Sequence, residues 1–261
     1  MKSYRDIFNK NGCINIKNIL LEKEKRIILN IIYESFYKAL GLKNKKIFSI
    51  EDKYFHKKLT FLRNNNPEVF GNIYDKLLIN AQLRSIFYTK KMLKTFSKIL
   101  NTKIENIYLN GFMLRLDSPT DNRNSLDWHQ DTPYYPETYP IMNAGVCWMA
   151  ITRNSFRNGT LVYIPKSHYK LVKSKSFKKG KNHSEQKKIS ISKNEMLRKK
   201  NLNLSFGDAS FIHMNIKHRS GQNNSNKFRI TLGCRFHDMQ SDFNTGKEQY
   251  VFNDKKLLNY F

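Results

Sequence analysis

The feature that most constrains this chain is a change of hydrophobic pattern near residue 104. Before it, apolar residues recur at helical spacing; after it, they come in short runs bounded by turns. Over residues 19–40, Ile27, Ile28, Ile31, Ile32, Phe36 and Leu40 share one face of a helix, and Gly41 supplies a stop. A second such segment, 73–100, carries Leu77, Leu78, Ile86, Phe87, Met92, Leu93, Phe96 and Ile99. The charged stretch between them, 43–58, reads as a loop with short structure.

From residue 104, IENIYLNGFMLRLD has the imperfect alternation and the Tyr, Phe and Ile content of a strand. A loop rich in Pro, Asn and Asp spans 117–124. Further strands are expected at AGVCWMAI (144–151), TLVYIP, ASFIHM and FRITLGCRF (228–236), with turns at RNSFRNG and FGD between them. Helices first and short strands afterwards suit a mainly β fold with flanking helices, an antiparallel sandwich or jelly roll. Residues 170–200, including KSKSFKKGKNHSEQKK, are basic and poor in apolar residues, and read as a mobile surface loop or lid. The expected organisation is one domain over 1–261. It has a mainly helical part at 1–103, a β core at 104–240 and a tail at 241–261.

Composition narrows the partners. The formal net charge is +26 over 261 residues, which concentrates anions and favours nucleic acid, acidic lipid or a phosphorylated substrate. The excess is mainly lysine scattered from end to end, among many Asn and Ile, so it reads as a coding bias before a binding face. Cys13, Cys147 and Cys234 are odd in number and far apart. No disulfide framework or zinc site follows from them, and a reducing cytoplasm fits. MKSYRDIFNKNG has no apolar signal region, and no run approaches the ~18 apolar residues of a membrane span.

Chemistry enters at DWHQDTPYYP, 127–136. His129 and Asp131 are two apart, so on an extended strand end their side chains face the same way. If His218, at the head of HRSGQNNSNKFRI, supplies a second imidazole, the set becomes two histidines and one carboxylate. Such a set covers one face of an octahedral iron(II) and leaves positions open for an organic co-substrate and dioxygen, which a closed four-ligand zinc site does not. Arg229 follows His218 at the head of a strand. Across a hairpin-like pair this spacing can bring its guanidinium back beside the metal ligand, a fork suited to a carboxylate such as that of 2-oxoglutarate. Ser220, two after His218, adds a hydroxyl.

These segments together resemble the phytanoyl-CoA dioxygenase family of iron(II)/2-oxoglutarate oxygenases. FNKNGCINIKNILLEKEK resembles the family's N-terminal entry. WHQD followed by tyrosines and proline resembles its metal-binding strand end. NGTLVYIPKSH resembles N-G-x-L-x-x-x-P-G-S-H with Lys166 where glycine is usual, and GDASFIHMNIKHRSGQNNSNKFR resembles its ending. The resemblance implies a double-stranded β-helix of cupin-like jelly-roll type with flanking helices. It implies His129, Asp131 and His218 as iron ligands, Arg229 and Ser220 on 2-oxoglutarate, and Trp148 in the co-substrate pocket. It also implies hydroxylation of a small organic or lipid-like substrate with release of succinate and carbon dioxide. Asp131 favours hydroxylation, or a desaturation-like outcome, over halogenation, because related halogenases carry a small residue there.

Other readings stand beside these. His213, inside FIHM, is a rival second histidine or a core residue; Ser220 and Arg229 are in register with His218 instead. His168 reads as structural, and His183 and His237 have no evident partners. Trp148 is core or pocket wall. Arg115 meets an anionic substrate or a structural acid. Tyr134 and Tyr135 border the substrate entrance or pack at its rim. Gln130 points away from the metal, and Asn143 is a weaker pocket candidate. The competing functions are a basic nucleic-acid-binding protein or repair-type oxygenase, which needs basic residues gathered on one face, and a jelly roll that binds a ligand without catalysis.

Overall fold

The computed structural model describes residues 2–42, 49–120, 125–134, 143–178 and 185–240. Its N-terminal part is helical: α1 (Tyr4–Asn11), α2 (Glu22–Tyr37), α3 (Lys53–Asn65), α4 (Pro67–Leu78), α5 (Ala81–Ser85) and α6 (Lys90–Leu100). Local chemistry sets their ends. Ser3 and Asp6 form a capping box on α1, and Gly12 closes it in the left-handed region at φ 72°. The segment 73–100 is divided rather than continuous, because Asn80 and Thr89 each turn a side-chain oxygen onto a backbone N–H and start α5 and α6. The stretch 43–58 is corrected at its far end. Asp52 accepts from Phe55 N at 2.6 Å and starts α3, which buries Phe55, Leu59 and Leu62; residues 43–48 lie outside the described residues.

The strands are β1 (Cys13–Ile16), β2 (Ile107–Asp117), β3 (Ala144–Ala150), β4 (Val162–Tyr163), β5 (Lys175–Phe177), β6 (Gln186–Lys188), β7 (Lys200–Asn201), β8 (Ala209–His213), β9 (His218–Arg219) and β10 (Arg229–Asp238). Five form an antiparallel sheet in the order β1-β8-β3-β10-β2, and three a smaller one, β7-β4-β9. The expected strand over TLVYIP is thus confined to two residues. The period-two alternation of β10 explains its burial on both faces. Ile230, Leu232, Cys234 and Phe236 pack with Phe8, Phe96 and other helix residues in the main core. The opposite face presents Arg229, Thr231 and Arg235 to an inner cavity, alongside Trp148 and Val146 of β3.

The stretch 170–200 holds more structure than a bare loop. β5 and β6 form a hairpin, α7 (Lys193–Leu197) carries a Ser192–Glu195 capping box, and β7 joins the smaller sheet. Ile189 N donates to Trp128 O at 2.8 Å, and the Lys217 ammonium meets Glu195 at 2.6 Å. Residues 179–184 of this stretch, including His183, and the tail 241–261 lie outside the described residues. No described helix is long and apolar enough to cross a membrane.

Candidate metal centre

His129 and His218 form an isolated antiparallel bridge. His129 N donates to His218 O at 2.9 Å and His218 N to His129 O at 3.0 Å, which places the imidazole centroids 4.1 Å apart. Asp131 is tied to the turn after β8 through its N–H to Met214 O at 2.9 Å. Each imidazole is turned by a backbone carbonyl: the His129 Nδ1–H donates to Asp127 O at 2.6 Å and the His218 Nδ1–H to Ile216 O at 2.9 Å. That fixes the tautomer and leaves each Nε2 lone pair free to bind a metal. The two Nε2 atoms lie 3.6 and 3.8 Å from Asp131 Oδ1, and the three donor atoms all fall within 4.8 Å of one another.

The electrostatics prepare the same state. Burial is the main cause that lowers the His218 pKa to about 4, with the neighbouring His129 adding to it, so the ring is neutral near pH 7. Burial alone would raise the Asp131 pKa. The imidazoles of His218 and His129 and the Arg235 guanidinium outweigh it and hold the carboxyl well below its ordinary range. Two imidazoles and one carboxylate at this separation are a donor set that fits a divalent metal of the first transition row. His213 stands apart. Its Nδ1 accepts from Asn215 N at 3.0 Å and its ring packs on Phe8 and His168, so it is a core histidine.

The cavity beside this centre is lined by His129, Asp131, His218, Arg115, Trp148, Ser220 and Arg229, and also by Arg235, Thr231 and Asn154, which sequence reasoning did not single out. The strand register explains much of this set. Asp117 lies opposite Arg229 and Arg115 opposite Thr231 in the β2–β10 ladder. Both guanidiniums therefore converge on one carboxylate: Arg229 Nη2 to Asp117 at 2.6 Å, and Arg115 Nη2 at 2.8 Å. The Arg115 guanidinium also lies over the Trp148 ring at 5.8 Å. The Ser220 hydroxyl accepts from Leu126 N at 3.1 Å, leaving its own proton for another partner.

The remaining expected residues fall around this centre. Tyr134 stands edge-on to His129 with centroids 5.8 Å apart, and its hydroxyl accepts from Lys187 N at 2.9 Å; Tyr135 lies outside the described residues. Gln130 points away from the centre, its amide donating to Lys170 O and Asn215 O. Asn143 is bonded to Leu100 O and Asp238, remote from the cavity lining. His168 is structural, its Nε2 on Asn9 O at 2.8 Å.

The family model described as phytanoyl-CoA dioxygenase matches residues 8–231. This chain belongs to the phytanoyl-CoA dioxygenase family. The family is one of iron(II)/2-oxoglutarate-dependent oxygenases, and the match spans both metal-motif segments. Solved structures agree in fold. The non-heme monooxygenase ThoJ in its apo form is 18% identical with a TM-score of 0.57, covering 90% of this chain and 77% of its own. The epimerase SnoN, in complex with Fe3+, alpha ketoglutarate and nogalamycin RO, is 13% identical with a TM-score of 0.57, covering 90% and 82%. EvdO2 from Micromonospora carbonacea var. aurantiaca, complexed with 2-oxoglutarate, is 15% identical with a TM-score of 0.58, covering 90% and 89%. No curated protein matches the chain.

Proposed function

We propose that this member of the family is a dioxygenase that hydroxylates a small organic or lipid-like substrate, with release of succinate and carbon dioxide. One observation carries the reading. Two histidines joined by a backbone bridge turn both Nε2 atoms toward the same Asp131 oxygen, in a cavity that also holds guanidinium groups. His129, Asp131 and His218 hold iron(II); Arg229, Ser220 and Trp148 hold 2-oxoglutarate. The two sheets are read as the halves of a double-stranded β-helix within a single domain, working in the cytoplasm.

Iron(II) with 2-oxoglutarate supplies, when bound, the oxidising power drawn from dioxygen and from decarboxylation of the keto acid. The chain supplies placement. Asp131 is already ionised and the His218 imidazole already neutral, so neither has to lose a proton before metal enters. Asp117 holds Arg229 by two of its nitrogens and fixes where its other N–H groups point. Leu126, Val146, Leu161 and Leu202 line the same cavity and exclude water from the reacting groups. Arg115 and Tyr134 stand toward the substrate, Arg115 with its charge shared with Asp117. The carboxylate of Asp131 occupies a metal position, which favours transfer of oxygen over transfer of halide.

The test is direct. Protein purified without oxygen is given iron(II) and then 2-oxoglutarate, and a weak visible charge-transfer band is expected. Candidate substrates are then screened for succinate release, and the product is weighed for one added oxygen atom. A folded protein that shows no band contradicts the reading. A turned-over product of unchanged mass overturns hydroxylation in favour of a rearrangement such as the epimerisation named for SnoN.

A further inference from the structure

We propose that the Asn154 side-chain amide is a direct hydrogen-bonding contact for the distal carboxylate of 2-oxoglutarate, and so a determinant of which 2-oxo acid the site accepts. The inference rests on the reading of the Arg229 end of the cavity as the co-substrate site.

Asn154 follows β3 and is held by its backbone. Its N–H donates to Leu204 O at 2.8 Å, and its carbonyl accepts from Leu204 N at 3.1 Å. These two bonds hold the backbone of Asn154 beside Leu204. The residue is 6% exposed, lines the cavity with Arg229 and Ser220, and its Oδ1 is buried without a hydrogen-bond partner among the described residues. Buried amides in folded proteins are bonded as a rule, and an unbonded one is a standing cost that an apolar residue of similar size would remove. Such a group facing a cavity is explained when a ligand completes it.

The neighbouring groups identify the ligand's chemistry. Arg229 spends its Nε and one Nη on Asp117, at 3.2 and 2.6 Å, so its fork is not wholly free for a second carboxylate. Ser220 has one proton to donate. A bound carboxylate has roughly four lone-pair sites to fill, more than these two side chains readily meet. The amide of Asn154 adds a neutral donor at this end once its oxygen and nitrogen exchange by a half-turn of the side chain. The indole Nε1–H of Trp148, a donor, is a second buried group of the same cavity without a partner among the described residues. A cavity wall with donors to spare suits an acceptor-rich anion. Aspartate at position 154 would set like charge against it.

The measurement is the affinity of the full chain for two acids, with manganese(II) standing in for iron, by calorimetry. 2-Oxoglutarate carries the distal carboxylate; 2-oxobutyrate keeps the keto-acid end and lacks it. In Asn154→Leu the affinity for 2-oxoglutarate is expected to fall about tenfold, the worth of one hydrogen bond to a charged group. Its affinity for 2-oxobutyrate is expected to stay that of the wild type. Asn154→Asp is expected to lose more for 2-oxoglutarate, with the same indifference to 2-oxobutyrate. Unfolding curves check that both variants fold, which the backbone bonds to Leu204 favour. Equal changes for the two acids, or no change for either, overturn the role of Asn154 while leaving the site intact. Failure of the wild type to bind either acid overturns the co-substrate site itself.

Discussion

His129 and His218 are 89 positions apart in the chain, yet their backbones exchange two hydrogen bonds, and each ring is steered by a carbonyl two residues away. The third group, Asp131, follows His129 by two residues, a spacing that can be read in the sequence, while its N–H bond to Met214 O cannot. Asp131→Ala is expected to abolish most turnover and the visible band with iron(II) and 2-oxoglutarate, measured on protein shown to be folded; a band of wild-type strength would exclude Asp131 as a ligand. His213 gives a second prediction. Burial pushes its pKa down to about 3 from an ordinary 6.5, so the folded state keeps it neutral while the unfolded chain protonates. A lowered histidine pKa means stability that is present above 6.5 and lost as pH falls toward 3. From about pH 7 to about pH 5 the loss from this residue is about 2 kcal/mol. Urea unfolding at the two pH values should show His213→Phe losing less stability than the wild type by that amount. An identical loss in both would show that His213 is not the group responsible.

Strands were more legible than their pairing. Alternation and β-branched content mark β2, β3, β8 and β10, but no local pattern says that Asp117 of β2 stands opposite Arg229 of β10. The acid beneath the two guanidiniums was therefore invisible in the sequence, as was the place of Asn154 on the cavity wall. Asp117→Asn leaves the buried Arg229 and the half-buried Arg115 short of their counter-charge and is expected to cost about 3–5 kcal/mol in urea unfolding; a cost within a few tenths would mean the cluster is hydrated and unimportant. Helix ends misled for a related reason. The side-chain oxygens of Asn80 and Thr89 cap new helices and outweigh the apolar periodicity running through 73–100, while Asp52 starts a helix inside a stretch whose charge reads as loop. The turn at Lys166 shows the opposite case, a departure plain in the sequence with a backbone consequence. Lys166 sits at φ 62°, a left-handed conformation that costs a residue with a Cβ roughly 1–2 kcal/mol. Lys166→Gly is expected to raise stability by about 0.5–1 kcal/mol after the entropy of glycine is subtracted, read as a higher unfolding midpoint; a lower midpoint would show that the lysine side chain holds the turn.

At the scale of the molecule, helices cover one face of the five-stranded sheet and the cavity occupies the other, with the metal motif reached from β9 and the segment after β2. The whole-chain lysine bias does not predict this division, which is why net charge said little about function. On the proposed reading, one ion is shared by His129, Asp131 and His218. The sharpest test of that reading sets the two candidate histidines against each other: iron(II) and 2-oxoglutarate are titrated without oxygen into the wild type, His218→Ala and His213→Ala. The charge-transfer band, with one iron per chain, is expected in the wild type and in His213→Ala, and its loss is expected in His218→Ala. A band that survives in His218→Ala and vanishes in a folded His213→Ala would contradict the reading.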